Sequence, residues 1–417
     1  MALKSKGVQR GLTLILVALT GALLSAPSSK AASPFTFADV YNNSSIMTVQ
    51  LELSDTAVAS LNLEPKKYTP ATVRFLLGDK DSGIINIGTR IKGSTSLEKL
   101  SGKPSMKIKF DYKTLSKQRF LGLKNMTLNS MQQDGSKLHE FGAYRLFNAM
   151  GVPASKTGWA RLYINGEDKG LYINVENVDD IFISKRLKDV TNHLYEGTAF
   201  QDIKAGSAGG DKNSGAFTVD EGWKKVPNKQ DLQTLINALS TNKDATWWKN
   251  LGTYTDRPRL ITQMAVENFL GAWDAYSGPV INNYFIRSNG AGKFTMIPWG
   301  MDQTFGENRA TSDSKDMFVF SMLSSKVSYP WSRTKLSRGA IYMRCIAYSP
   351  CKTEYLKALK AVSAKATSIK LVASMKAAAS LTSSLRNANP NATANAYKFV
   401  ADQQARVTKI LKANNIK

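Results

Sequence analysis

Residues Trp273 to Gly306 read WDAYSGPVINNYFIRSNGAGKFTMIPWGMDQTFG. An apolar, helix-like run, LITQMAVENFLGAW, leads into Asp274. NNYFIRS reads as a strand, SNGAG as a tight turn and KFTMIPW as a second strand, so Asp302 falls just past a hairpin and ahead of a turn ending at Gly306. Either aspartate alone reads equally well as a cap or turn residue. In order, they form a carboxylate, a pair of carboxamides (Asn282 and Asn283) and a second carboxylate. These are the parts needed to hold Mg²⁺ on a nucleotide, because that ion takes a few hard oxygens from protein and the rest from water and phosphate. Period-2 alternation on a strand predicts that only one of the two asparagines faces the site.

Working outward, SIMTVQLELS, YTPATVRFLLG, INIGTRIKGS and SMKIKFDY read as strands, with turns at GDKDSG and SGKP. This predicts an antiparallel, β-rich N-terminal half. SKLHEFGAYRLFNAMG reads as an amphipathic helix closed by Gly151 and Pro153. WARLYING and KGLYINVENV form a hairpin about Asn165-Gly166. Residues 205–215, AGSAGGDKNSG, are Gly/Ser-rich and read as a mobile loop. From Asp231 the chain turns helical, and the tail from Thr353 to Lys417 reads as two or three surface helices broken near NANPNATAN. Regular βαβ alternation, the mark of a doubly wound sheet, is missing from the pattern.

Six motifs now stand together: RIKGSTS (Arg90–Ser96), KPSMKIKFD (Lys103–Asp111), LHEFGAYRLFNAMGVP (Leu138–Pro153), ARLYINGEDKGLYINVENVD (Ala160–Asp179), WDAYSGPVINNYFI and IPWGMDQTFG. From about Val49 to Gly306 the chain resembles the CotH kinase family of spore-coat type, atypical protein kinases of divergent fold. The resemblance implies a two-lobed, protein-kinase-like α+β fold, with a β-rich N-terminal half and a helical C-terminal half. It implies a kinase-like domain over 33–320, with a helical extension over 321–417 packed on it. It also implies ATP and Mg²⁺ or Mn²⁺ as ligands, and phosphorylation of protein Ser/Thr.

Protein kinases order a catalytic Asp, an Asn and a metal-binding Asp before Phe-Gly. On that pattern Asp274 is the catalytic aspartate, and Asp302 and Asn283 hold metal. Asn283 is preferred to Asn282 because the family motif places Asn directly before the Tyr. Many members carry a carboxylate two positions before Asp302; here that position is Gly300, which leaves open whether one metal or two is held. Arg90, with Lys92-Gly93-Ser94, is placed to neutralise phosphate. Lys107 and Lys109 share one face of a strand, and one of them is expected to be the phosphate-binding lysine. Glu140, on the helix, is the candidate to fix that lysine. Glu176 sits where a kinase joins its lobes and is expected to meet the adenine or ribose. Each of these residues reads alternatively as an ordinary surface charge or turn residue.

The chain has 417 residues, enough for one large or two modest domains. Lys4, Lys6 and Arg10 precede an apolar run from Leu12 to Leu24, then Ser29-Lys30-Ala31. Residues 1–32 therefore read as a secretory signal peptide, too short to be a membrane span, and the protein is expected to be secreted or envelope-associated. Cys345 and Cys351, the two cysteines, predict a disulfide in an oxidising compartment. His139 and His193 lie far from them in sequence, which argues against zinc. Lys plus Arg exceed Asp plus Glu by 56 to 32, a net charge of +24. That field favours anionic cell-wall or surface polymers over nucleic acid, for which export and the dispersed lysines leave no case. Two other functions compete: a non-catalytic surface-binding or adhesin-type protein on the same fold, and phosphotransfer to a non-protein polymer.

Overall fold

The structure, a computed structural model, describes residues 34–93, 96–187, 189–306 and 338–416. The expected signal peptide over 1–32, Ser94, Thr95 and the expected boundary at 320/321 lie outside the described residues.

Strand alternation builds the N-terminal half. In β1 (Ile46–Glu52) Met47, Val49 and Leu51 point inward, while Thr48 and Gln50 stay partly exposed. β2 (Thr69–Leu77), the short β3 (Lys80–Asp81), β4 (Ile85–Lys92), β5 (Ser105–Lys109), β6 (Asn125–Asn129), β7 (Thr157–Ile164) and β8 (Glu167–Val175) follow. Hydrogen bonding runs β1–β7–β8–β6–β5–β4–β2, and β2 pairs again with β1. Seven strands thus close a ring around one apolar core that includes Phe75, Ile108, Leu128 and Leu162. The expected antiparallel half needs one correction: β1 pairs with β7 in parallel, Ile46 opposite Trp159. That pair closes the ring, and an open sheet would have left two edges unpaired. The Asn165-Gly166 turn is as expected, both residues taking the positive φ that this hairpin requires.

The second sheet lies in the C-terminal half, in the order β10 (Phe217–Glu221), β9 (Thr191–Gly197), β11 (Tyr284–Asn289), β12 (Phe294–Pro298). Helices surround it. After α1 (Phe37–Val40), α2 (Asp55–Leu63), α3 (His139–Ala149) and α4 (Asp180–Arg186) come α5 (Gln230–Leu239), α6 (Asp244–Tyr254) and α7 (Arg257–Leu270), then α8 (Ala340–Ala347), α9 (Ser349–Ser368), α10 (Leu371–Leu381) and α11 (Pro390–Ala413). The largest core joins α3, α7, the second sheet and the tail helices. Phe141, Met264, Tyr284, Leu359 and Val400 all belong to it. The tail helices each bury one face, and α11 begins with Asn389 capping Asn391 and Ala392 and Pro390 in the first turn. Cys345, in α8, is bonded to Cys351, in the first turn of α9. No helix among the described residues is long and apolar enough to cross a membrane.

Within the Gly/Ser-rich stretch 205–215 most residues are exposed and only Ser207 and Ala208 are buried. The buried Lys229 donates to the carbonyls of Ala208, Ser214 and Phe217 at 3.1, 2.6 and 2.7 Å.

Candidate active site

Helix α7 ends at Gly271 in the left-handed conformation, a normal C-cap. The apolar run continues through Trp273 as a buried turn, and Asp274 emerges from it. Both amides preceding β11 reach its carboxylate. Asn282 Nδ2 donates to Oδ1 at 3.0 Å and Asn283 Nδ2 to Oδ2 at 2.9 Å. The expectation that only one asparagine faces the site fails because Asn283 adopts φ +51°, which breaks the alternation just before the strand begins. Asn283 Nδ2 also donates to the Asp274 carbonyl at 3.0 Å. Its Oδ1 accepts no hydrogen bond from the described residues, leaving an oxygen available to a cation. Burial pushes Asp274 up to about 7; the two asparagines oppose that shift and Asp302 adds to it.

Gly300 explains its own identity. At φ +58° a Cβ would lie 2.7 Å from Asn283 Cγ and 2.8 Å from its Oδ1. The missing second carboxylate of the D-x-D pattern is replaced here by the close approach of the Asn283 amide.

Asp302 follows β12. Its carbonyl accepts from Nδ1 of His139, the first residue of α3, at 2.7 Å, and the residue as a whole is half-buried. Burial raises the Asp302 carboxyl, Lys92 pulls it down, and Asp134 raises it further. Glu140 is buried on α3 and accepts from Asn129 Nδ2 at 2.9 Å on each oxygen. Burial raises it first, and the Asp302 charge next. The Asp302 charge thus disfavours ionisation of both Asp274 and Glu140, and Lys92 opposes the shifts of Asp302 and Glu140. Phe305 docks on the same helix, its ring 5.3 Å from that of His139 and close to Gly142.

On the wall of the ring facing this cluster, Arg90 of β4 stands opposite Lys107 of β5, and Lys107 opposite Thr127 of β6. Lys92 donates to Asn129 Oδ1 at 2.9 Å and lies 5.9 Å from the Trp299 ring across the cleft. Burial lowers Lys107 to about 8, with Arg90 and Lys92 adding to the effect and Glu196 and Asp220 of the second sheet opposing it. None of these three cations forms an ion pair among the described residues.

Two candidates are not brought into this cluster. Lys109 shares the face of Lys107 but lies 3.8 Å from Asp111; it and Arg90 both stand over the Tyr68 ring, at 5.8 and 5.3 Å. Glu176 is buried and ion-paired with Arg186, and it accepts from the Lys156 N–H at 3.0 Å. Strand β8 ends at Val175, so the chain turns there and aims Glu176 at α4 rather than at the cleft.

Sequence reasoning named Lys92 only as Arg90's neighbour and missed Asn129 and His139. The signal for Lys92 was there: it shares Arg90's face, one strand repeat on. Asn129 ends an ordinary strand, NMTLN, and offered none.

A metal and a nucleotide fit these side chains. Among the described residues no three His, Cys, Asp or Glu side chains converge tightly enough to hold a metal by themselves. What converges is a pair of recessed aspartates with an amide oxygen and the Lys92 ammonium, next to Arg90 and Lys107 on the same strand face, suited to a cation that shares its coordination with phosphate.

Residues 89–409 match the family model described as "CotH kinase protein". The inner spore coat protein H of Bacillus subtilis (strain 168) is 24% identical over 221 residues, 50% of this chain and 58% of that protein. The invasin CotH2 of Rhizopus delemar is 23% identical over 318 residues, 70% of this chain and 50% of that protein. The chain thus spans about half the length of these curated relatives. Among solved structures, the Helicobacter pylori proinflammatory kinase CtkA aligns over 83% of this chain and 91% of its own, at 9% identity and a TM-score of 0.36, too low to bear on the fold. On the match over residues 89–409, the chain belongs to the CotH kinase family.

Proposed function

We propose that this protein is an exported atypical kinase that transfers the γ-phosphoryl group of Mg²⁺- or Mn²⁺-ATP to Ser/Thr of envelope or coat proteins, in a two-lobed kinase-like domain. The observation that carries the reading is Lys92 set against the Asp302 and Glu140 carboxylates, with Arg90 and Lys107 beside it on the same strand face and Asp274 within reach of the Asp302 charge. A polyphosphate bound with a divalent cation satisfies both walls at once.

In this reading Asp302 and Asn283 Oδ1 would hold the metal, which when bound neutralises charge on the transferring phosphoryl group. Arg90, Lys92 and Lys107 bind phosphate oxygens. Asp274 orients the acceptor hydroxyl and takes its proton. Its carboxylate keeps a lone pair on each oxygen beyond the two amide bonds. Burial sets its pKa at about 7, where a base is both deprotonated often enough and basic enough to act. Glu176 and Lys109 have no part in this account.

The test is Asp274→Asn. ATP binding should persist while transfer to any acceptor, including the protein itself, falls by about 10²-fold or more. Transfer at the parent rate would remove Asp274 from its role.

A second reading has its own observation. Residues 340–413 carry twelve Lys and Arg against two acids, and Lys357, Lys360, Lys370, Lys376, Lys398, Lys409 and Lys412 are all exposed. This layer suits an anionic wall polymer, with or without catalysis elsewhere. Adhesion alone leaves Asp274, Asn282 and Asn283 without a purpose.

A further inference from the structure

We propose that Asn129 is a positioning residue that holds the Lys92 ammonium in the phosphate-binding cleft by bridging it to the buried Glu140 carboxylate. The proposal rests on the kinase reading above for its consequence, though not for its geometry. Lys92 and Glu140 form no ion pair with each other. Asn129 stands between them. Its Oδ1 accepts from Lys92 Nζ at 2.9 Å, and its Nδ2 donates to both Glu140 oxygens at 2.9 Å. The amide orientation is forced by its partners, because an ammonium only donates and a carboxylate only accepts. Both the acceptor and the donor are needed, and a primary amide supplies the two on one short stem.

The location suits the task. Asn129 is the last residue of β6 and lies on the same face as Thr127, hence on the wall of Lys107, Arg90 and Lys92. It is 8% exposed, so water competes little for either bond. Glu140 is fixed on α3 and Lys92 on β4, so the amide ties the helix to the ring at the lysine. A direct pair would draw the ammonium toward the helix. The interposed amide holds it one side chain further out, toward Trp299 and the Asp302 turn.

The experiment is a double-mutant cycle on the full chain, read by Mg²⁺-ATP affinity. Asn129→Ala should weaken binding about tenfold and add nothing further in a Lys92→Met background, because it acts through that lysine. An equal additional loss in that background, or no loss in the parent background, would overturn the proposal. A second readout needs no nucleotide: acylation of the Lys92 amine, mapped by mass spectrometry on folded protein. Asn129→Ala, which removes the acceptor, should raise the rate by about tenfold, whereas Asn129→Asp, which keeps the size and pairs directly with the ammonium, should lower it. Unchanged rates in both variants would refute the bridge. If the parent binds no nucleotide but the labelling shifts as stated, the bridge stands and the kinase reading fails.

Discussion

Gly300→Ala tests how the site is built. A Cβ at residue 300 would sit 2.7, 2.8 and 2.9 Å from Asn283 Cγ, Oδ1 and Nδ2. The neighbour that must move is the amide that donates to the Asp274 carboxylate at 2.9 Å and to its carbonyl at 3.0 Å. Holding alanine at φ +58° costs about 1 kcal/mol. Losing the Asn283 hydrogen bonds adds about 2 kcal/mol, one of them being to a charged group. The sum is about 3 kcal/mol. With an unfolding entropy of about 0.9 kcal/mol/K for a chain of 417 residues, Tm should fall by about 3 °C. The assay is calorimetry paired with a Mg²⁺-ATP isotherm, in which affinity should fall as well, since Asn283 is displaced. Gly290→Ala is the control on the same hairpin, because its Cβ would meet Val190 at an ordinary 3.7 Å; it should move Tm by less than about 1 °C. If the two variants behave alike, Gly300 does not shape Asn283 and the reasoning is wrong.

Two further outcomes concern groups outside the cleft. Glu176→Gln breaks a largely buried pair with Arg186 and should cost about 3 kcal/mol by thermal melting; Mg²⁺-ATP affinity should stay within about twofold of the parent, and a larger loss would return Glu176 to the nucleotide site. His193, hydrogen-bonded to Asp231 at 2.9 Å, has burial working to lower its pKa, but the Asp231 and Val226 bonds raise it overall. For Asp231 burial works upward, yet the His193, Ser288 and Tyr195 bonds leave it lowered. A raised histidine stabilises fully below its unfolded pKa of about 6.5 and loses that contribution as pH rises through its folded value. A lowered aspartate stabilises above about 3.9 and loses its contribution only in acid. Parent Tm should therefore drop between pH 6 and pH 9 by more than that of His193→Gln; parallel curves would discount the pair.

The order of elements was legible because it rests on local periodicity: alternating Met47, Val49 and Leu51, the Asn165-Gly166 turn, the helix behind LHEFGAYRLF. Closure of the ring was not legible, since it depends on β1 meeting β7 across more than a hundred residues. Within the site, Asp274, Asn283 and Asp302 were visible because they share one short hairpin segment. Lys92, Asn129 and Glu140 come from three separate elements, and only tertiary packing shows that the amide links the other two. The pairing of Glu176 was hidden for a related reason. Its position at the end of a strand was readable, but the Arg186 that claims it was not.

The central claim is that a metal-dependent nucleotide site lies between Asp302 and the three cations. The direct measurement is a Mg²⁺-ATP isotherm for the parent and Asp302→Ala, each with metal or with chelator, at about 0.05 M and about 0.5 M salt. The account predicts parent binding that requires metal and survives high salt, with Asp302→Ala folded but no longer responsive to metal. Affinity that ignores the metal, is equal in the two proteins and collapses with salt in step with binding to a generic polyanion would contradict it, and would leave the basic helical surface as the source of anion binding.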